Sequence, residues 1–445
     1  MKKIKQEKGI TLVALVITII VLLILAGVGI GLIGGEDGLL SKAKQSAEEY
    51  NKAAIEEAEI LAQLQERLTN YNNGLPENTE TTEAGTEVKI PEEWYPTASV
   101  TAVATGNGET VPVPIGFYYV GGKINTGVVI SDNEADKNKY ANIENGDIPA
   151  GVAYNADGTV NKENSELKGN QFVWIPVTES EYVKKDWGYA NATWETQTNT
   201  AELPQIQKYG GFYIGRYEAG TSEITLSTGV DFAAQNTATT SGWANDNFSI
   251  RDGLGHVATG KITSKAGEIP YYHTDYYTAV KLSNNMYKTK YVQSGLVTGT
   301  MWDAMMKFIA DGNDAIVTTE STWGNYNNTS SYVKYTAGQG RYATVDSNTG
   351  AMTSPFKVSD GNYYYGIKTT GISEDIKKKN LYDVAGNLGE WTQEVAYPNN
   401  MLESYMIRGS GYGTSYFNYP VCYRDYATAN GTGTDVGFRP ALYIK

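Results

Sequence analysis

The run Leu381-Tyr-Asp-Val-Ala-Gly-Asn-Leu-Gly-Glu-Trp-Thr392 sets the turn-forming Gly386, Asn387 and Gly389 directly before an aromatic stretch. Glycine and asparagine suit tight turns, and aromatic or β-branched residues suit strands. The same alternation extends outward in both directions, from about Trp94 to Lys445. It predicts strands at Phe117–Val120, Gly127–Ile130, Phe172–Ile175 and Phe212–Ile214. Two helices are expected among them, at Tyr276–Tyr287 and Thr300–Ala310. The second sets Trp302, Met305, Met306 and Ile309 on one face. No fixed-period repeat is present, so neither a solenoid nor a propeller is supported.

Composition narrows the function classes. Hydrophobic residues make up 41% of the 445, enough to bury a substantial core and to argue against wholesale disorder. The formal charge is -14, while Lys2, Lys3, Lys5 and Lys8 make the extreme N-terminus basic, so the remainder is more acidic still. Such a surface repels phosphate backbones, and no nucleic-acid partner is expected. Cys422 is the single cysteine, which excludes an intrachain disulfide and a Cys/His zinc cluster. His256 and His273 have no ligand spacing and read as structural or surface residues. No G-x-S-x-G elbow accompanies them. Missing disulfides weakly oppose export, but the N-terminal segment outweighs that signal.

Residues 10–33 (ITLVALVITIIVLLILAGVGIGLI) carry no charge. As a helix they would span roughly 36 Å, against a hydrocarbon core of about 30 Å. Lysines before the run, and Glu36 and Asp37 after it, predict a single-pass cell-membrane protein with a cytoplasmic N-terminus and an extracellular C-terminal domain. The basic leader ending in Lys8-Gly9, followed by Ile10-Thr11-Leu12, resembles the prepilin signal of type IV pilins and pseudopilins. That resemblance implies cleavage between Gly9 and Ile10. The family's glutamate at the fifth mature position is Ala14 here. An uncleaved signal anchor is the alternative. Leu40, Ala43, Ala47, Tyr50, Ala54, Ala58, Leu61, Leu64 and Leu68 then recur at helical steps and predict an amphipathic stalk over 34–71. Residues 72–93, polar and Thr/Glu-rich, read as a linker, leaving 94–445 as the outer domain.

Within that domain several segments fall in order: Gly211-Phe-Tyr-Ile-Gly-Arg-Tyr-Glu218, Thr300-Met-Trp-Asp-Ala-Met305, the 381–392 run, Arg408-Gly-Ser-Gly-Tyr412, Cys422-Tyr-Arg-Asp-Tyr426 and Gly437-Phe-Arg439. Together they resemble the formylglycine-generating enzyme (sulfatase-modifying factor) family over roughly 112–445. The resemblance implies a C-type-lectin-like fold, and hence an α+β chain with a long N-terminal transmembrane and stalk helix ahead of that domain. It also implies a calcium ion on the 381–392 loop, held at Asp383, Gly386, Leu388 and Glu390. Two carboxylates and two main-chain carbonyls suit a hard cation. Gly389 stands where the family usually has tryptophan. A metal-free turn is the alternative.

The family's oxidases use a pair of cysteines near the C-terminus. Cys422 matches the second, while the first would fall near Gly413-Thr414, where no sulfur exists. One thiol cannot supply two thiolate ligands or a redox pair, so no copper and no oxidase activity are expected. Tyr412, Tyr416, Phe417, Tyr419, Tyr423 and Tyr426, interleaved with small polar residues, read as a binding face of the kind antibody loops use. The composition also resembles lectin-fold segments diversified by retroelements. The expected function is an adhesin-like, membrane-anchored surface protein of bacterial or phage origin that binds an extracellular protein or glycan. A minor pilin or pseudopilin partnering other pilins, and a divergent oxidase, are the alternatives.

Overall fold

A computed structural model describes residues 69–156, 160–221, 262–319, 323–326, 341–343, 356–357 and 367–445, with breaks at 273, 399–402, 415–417, 432 and 434, and scattered positions before 69. The chain divides into two units, Met1–Gly74 and Leu75–Lys445. In the first, helical residues are described at 17–22 and at intervals up to 73. Gly9 and Ile10, and with them the expected leader, lie outside the described residues.

Among the described residues no helix is long and apolar enough to cross a membrane. The expected α+β fold, with a long N-terminal transmembrane and stalk helix before a C-type-lectin-like domain, is therefore corrected. The described elements are mostly short strands in antiparallel sheets, with a few short helices. The expectation rested on hydropathy and length, which say nothing about continuity. Of the 10–33 run only residues 17–22 are described, and they are helical; the rest of it lies outside the described residues.

The main sheet of the second unit has six strands in the order Val292–Leu296, Pro440–Ile444, Gly211–Gly215, Gln171–Pro176, Val129–Ser131 and Tyr118–Gly121. Its central strands are apolar throughout because both faces are covered. Phe172 and Trp174 join Tyr213 in one core, while Val173 and Ile175 join Phe212 and Ile214 in another. The two-residue alternation of a strand thus divides one run of sequence between two cores.

The helix Gly299–Ala310 lies in the second core and buries Met301, Trp302, Met305 and Met306 completely. Each such side chain contributes about 1.5–3 kcal/mol. Thr298 caps its first turn by accepting the Met301 N–H at 3.2 Å. The helix Tyr276–Met286 serves the first core and is capped by Asp275, which accepts the Thr278 N–H at 2.9 Å.

A five-stranded sheet carries most of the sequence landmarks. Its order is Asp425–Thr428, Ser404–Arg408, Gly389–Tyr397 and Val436–Phe438, with Thr193–Trp194 also paired to Gly389–Tyr397. The pairing of Gly389–Trp391 with Val436–Phe438 is parallel. It brings Glu390 beside the Gly437-Phe-Arg439 segment. A third sheet joins Glu87–Val88, Val100–Gly106 and Glu109–Pro114. Its first strand lies inside the stretch read as linker, where Val88 and Ile90 are buried. Two apolar residues in a Thr/Glu-rich background were too few to signal a strand.

Candidate functional site

The 381–392 loop is a tight, buried structure. Asp383 and Asn387 adopt left-handed backbone conformations, with φ of 56° and 59°. Gly386 must be glycine, because a Cβ there would sit 2.3 Å from the Asn325 carbonyl oxygen. The loop folds over the Glu218 carboxylate, which accepts from the Leu388 N–H at 3.0 Å and the Asn387 side-chain amide at 2.7 Å.

Both expected carboxylate ligands are present, Glu390 engaged on both oxygens and Asp383 on one. The Arg439 guanidinium grips Glu390 through Nε and Nη2, at 3.1 and 2.7 Å, and donates further to the carbonyls of Gly215 and Tyr382. Asp383 accepts the Gly371 N–H at 2.8 Å through Oδ2, while Oδ1 is buried without a partner. Among the described residues no group of three or more His, Cys, Asp or Glu side chains is placed to hold a metal ion. Asp383, Gly386, Leu388 and Glu390 in this arrangement do not fit a calcium cage. A fork-shaped bidentate ion pair takes both oxygens of Glu390, one of the two carboxylates such a cage would need.

Three buried carboxylates against one guanidinium leave this cluster electron-rich. Burial, reinforced by Asp383 and Glu390, holds Glu218 well above the ordinary carboxylate range. Burial pushes Asp383 up to about 7, opposed by the Gly371 N–H and Arg439. Glu390 is also raised by burial, with Arg439 pulling the other way.

A second charged cluster escaped the sequence reading. Asp303, in the middle of the buried helix, accepts from Arg408 at 2.9 Å, Arg424 at 2.5 Å and the Trp187 indole at 3.0 Å. Glu394 accepts from the same two arginines, at 3.1 and 3.2 Å, and faces Lys184 at 3.4 Å. All five charged side chains are buried. One signal was available: an aspartate set between Trp302 and Ala304, inside an apolar run, needs a cationic partner.

Cys422 sits against this second cluster. Its side chain is 0% exposed, and its carbonyl accepts from Arg408 Nη2 at 3.2 Å. Burial pushes the thiol up to about 12, despite the nearby arginines. A thiol in that state is not a nucleophile or metal ligand near neutral pH.

The expected tyrosine face is only partly assembled. Tyr412 is corrected from surface to core: it is buried with Tyr272, Ile367 and Leu388, because its N–H donates to the Asn387 carbonyl and draws it under the loop. Tyr416 and Phe417 lie outside the described residues. Tyr419 and Tyr423 are half-buried and meet edge to face at 4.9 Å. Tyr426 is half-buried and lies across the strand pair from buried Met406, so it shares that residue's side of the sheet. Sequence reasoning missed the stacked Tyr276–Tyr405 pair, 3.5 Å apart, beside the exposed Tyr277.

Comparison with solved structures finds similarity to 32 chains, including the following three at low identity. The structure titled "Crystal Structure of CarF" is 15% identical with a TM-score of 0.30, covering 62% of this chain and 98% of that one. "Treponema denticola variable protein 1" is 16% identical with a TM-score of 0.28, covering 61% and 95%. PvdO from Pseudomonas aeruginosa is 15% identical with a TM-score of 0.30, covering 66% and 99%. No family model matches the chain, and no curated protein does.

Proposed function

We propose that the second unit is a formylglycine-generating-enzyme-like domain that has no oxidase chemistry and works by binding a ligand. The observation that carries this reading is Cys422, the single sulfhydryl of the chain, sealed in the core with its thiol pushed up to about 12. Oxidation of a substrate cysteine in that family needs two thiols close together, and here the partner position holds Gly413-Thr414. The order of the motifs supports the family part of the reading. So does the way the Glu390–Arg439 pair ties the 381–392 run to the Gly437-Phe-Arg439 segment.

The ligand is an extracellular protein or glycan, and the half-exposed Tyr419–Tyr423 pair anchors it. Rigid aromatic rings flanked by glycine, serine and asparagine give contact area at low entropic cost. The test has two arms. Purified full-length protein, supplied with copper, oxygen and a cysteine-containing peptide, should form no formylglycine; turnover that disappears in Cys422→Ser would overturn the proposal. On a panel of immobilised glycans and surface proteins, any ligand retained should bind at least about tenfold more weakly to the Tyr419→Ala/Tyr423→Ala variant. Retention unaffected by that variant would remove the tyrosine pair from the account.

A further inference from the structure

A cavity of about 190 Å³ is walled by residues drawn from 150–152, 160–171 and 265–268. Neither the residues of the 381–392 loop nor the C-terminal tyrosines line it, so it stands apart from the site proposed above. It is smaller than the roughly 300–1,000 Å³ of drug-sized pockets, and so takes only a small molecule. Part of its wall is aliphatic, from Val152, Val160 and Leu167. Another part is charged, from Glu268, Lys162, Lys168 and Lys265.

Glu268 is the unusual member. It is 7% exposed, yet its carboxylate has neither a hydrogen-bond nor an ion-pair partner among the described residues. Its main chain, by contrast, is pinned: the N–H donates to Thr370 Oγ1 at 3.1 Å, and the carbonyl accepts the Thr370 N–H at 2.9 Å. Neither carboxylate oxygen is sealed in the core as Asp383 Oδ1 is, so both reach the open space that the residue lines. Burial pushes the carboxyl up to about 7, and the charges that oppose this are Lys265 and Lys162, both in the cavity wall. No ion pair closes between them. Lys265 is half-buried, and Lys162 and Lys168 are exposed. A carboxylate more than nine-tenths buried ordinarily has a donor or a cation against it. Here the space in front of it is where that partner belongs.

We propose that this cavity binds a small aliphatic α-amino acid as its zwitterion. The ammonium group donates to the Glu268 carboxylate, and the ligand's own carboxylate faces Lys162 and Lys265. The aliphatic side chain lies against Val152, Val160 and Leu167. Opposite charges that line one cavity without meeting select a ligand carrying both signs. A simple cation would be opposed by the lysines, and a simple anion by the buried carboxylate.

The experiment is isothermal titration of the full chain with L-valine at low salt. Two controls each lack one charge: 2-methylpropylamine has no carboxylate, and 3-methylbutanoate has no ammonium. Saturable binding of valine is expected, with each control at least about tenfold weaker. Glu268→Gln keeps the shape of the side chain and should weaken valine at least about tenfold. Lys162→Gln/Lys265→Gln, at exposed and half-buried positions, should weaken valine about threefold to tenfold without weakening the amine. That double variant decides the matter if Glu268→Gln does not fold. The proposal is overturned if no valine heat appears up to about 10 mM, or if either control binds as tightly as valine. It is equally overturned if folded Glu268→Gln, or the double lysine variant, binds valine like the parent.

Discussion

Two buried charge clusters share the strand Gly389–Tyr397, and they are built on opposite principles. Glu394, towards one end, belongs with Asp303, Arg408, Arg424 and Lys184, where cations outnumber carboxylates. Glu390, near the start, belongs with Glu218, Asp383 and a single guanidinium, Arg439. In the first, each carboxylate is matched by at least two donors, and the group ties a helix to a sheet. In the second, carboxylates crowd one another and their protons bind more tightly. The same strand therefore carries one cluster that behaves as scaffold and one that responds to pH.

Breaking the scaffold cluster should have the largest effect. Arg408→Met removes a partner from both Asp303 and Glu394, leaving buried charge under-compensated, and should cost about 3–5 kcal/mol in urea denaturation of the full chain. A loss below about 1 kcal/mol would mean that the two clusters are not different in kind. Next in size is Glu390→Gln, which leaves Arg439 its carbonyl partners and should cost about 2–3 kcal/mol.

The carboxylate-rich cluster makes a pH prediction whose sign is fixed. Asp383 has a folded pKa of about 7, above its unfolded value, so the folded protein binds the extra proton. Its contribution to stability is complete below about pH 4 and is lost as pH rises towards 7. Asp383→Asn should flatten stability against pH across that window by up to about 1.4 kcal/mol per pH unit. Matching slopes for parent and variant would refute the assignment. Glu268, also pushed up to about 7 by burial, should leave a residual slope in the variant. Calcium sharpens the same comparison: with Glu390 held by Arg439, millimolar calcium should move the melting temperature by less than about 1 °C. The smallest effect is expected at Cys422, where the native protein should resist thiol-labelling reagents at pH 8 and react only once unfolded.

What could be read from sequence follows the range over which each signal acts. The helices Tyr276–Met286 and Gly299–Ala310 and the four strand candidates emerged from local periodicity, and the described elements lie within a few residues of them. The loop at 381–392 was visible because its glycines and asparagine crowd into a few positions. Its electrostatic partners were not visible, since Glu218 and Arg439 come from segments 169 and 49 residues away from their contacts on it. Tyr412 misled because composition does not report which side of a strand or loop faces inward. The 10–33 run gave a strong local hydropathy signal, of which only the helical residues 17–22 fall among the described residues.

The strand Pro440–Ile444 lies between Val292–Leu296 and Gly211–Gly215 in the six-stranded sheet. Until those five residues are available, the sheet exists only as two fragments with open hydrogen-bonding edges. Nascent chains emerging from a ribosome must therefore hold both fragments apart from other strands before this segment arrives to zip them together. Truncation ahead of residue 440 should yield aggregation rather than a smaller stable domain.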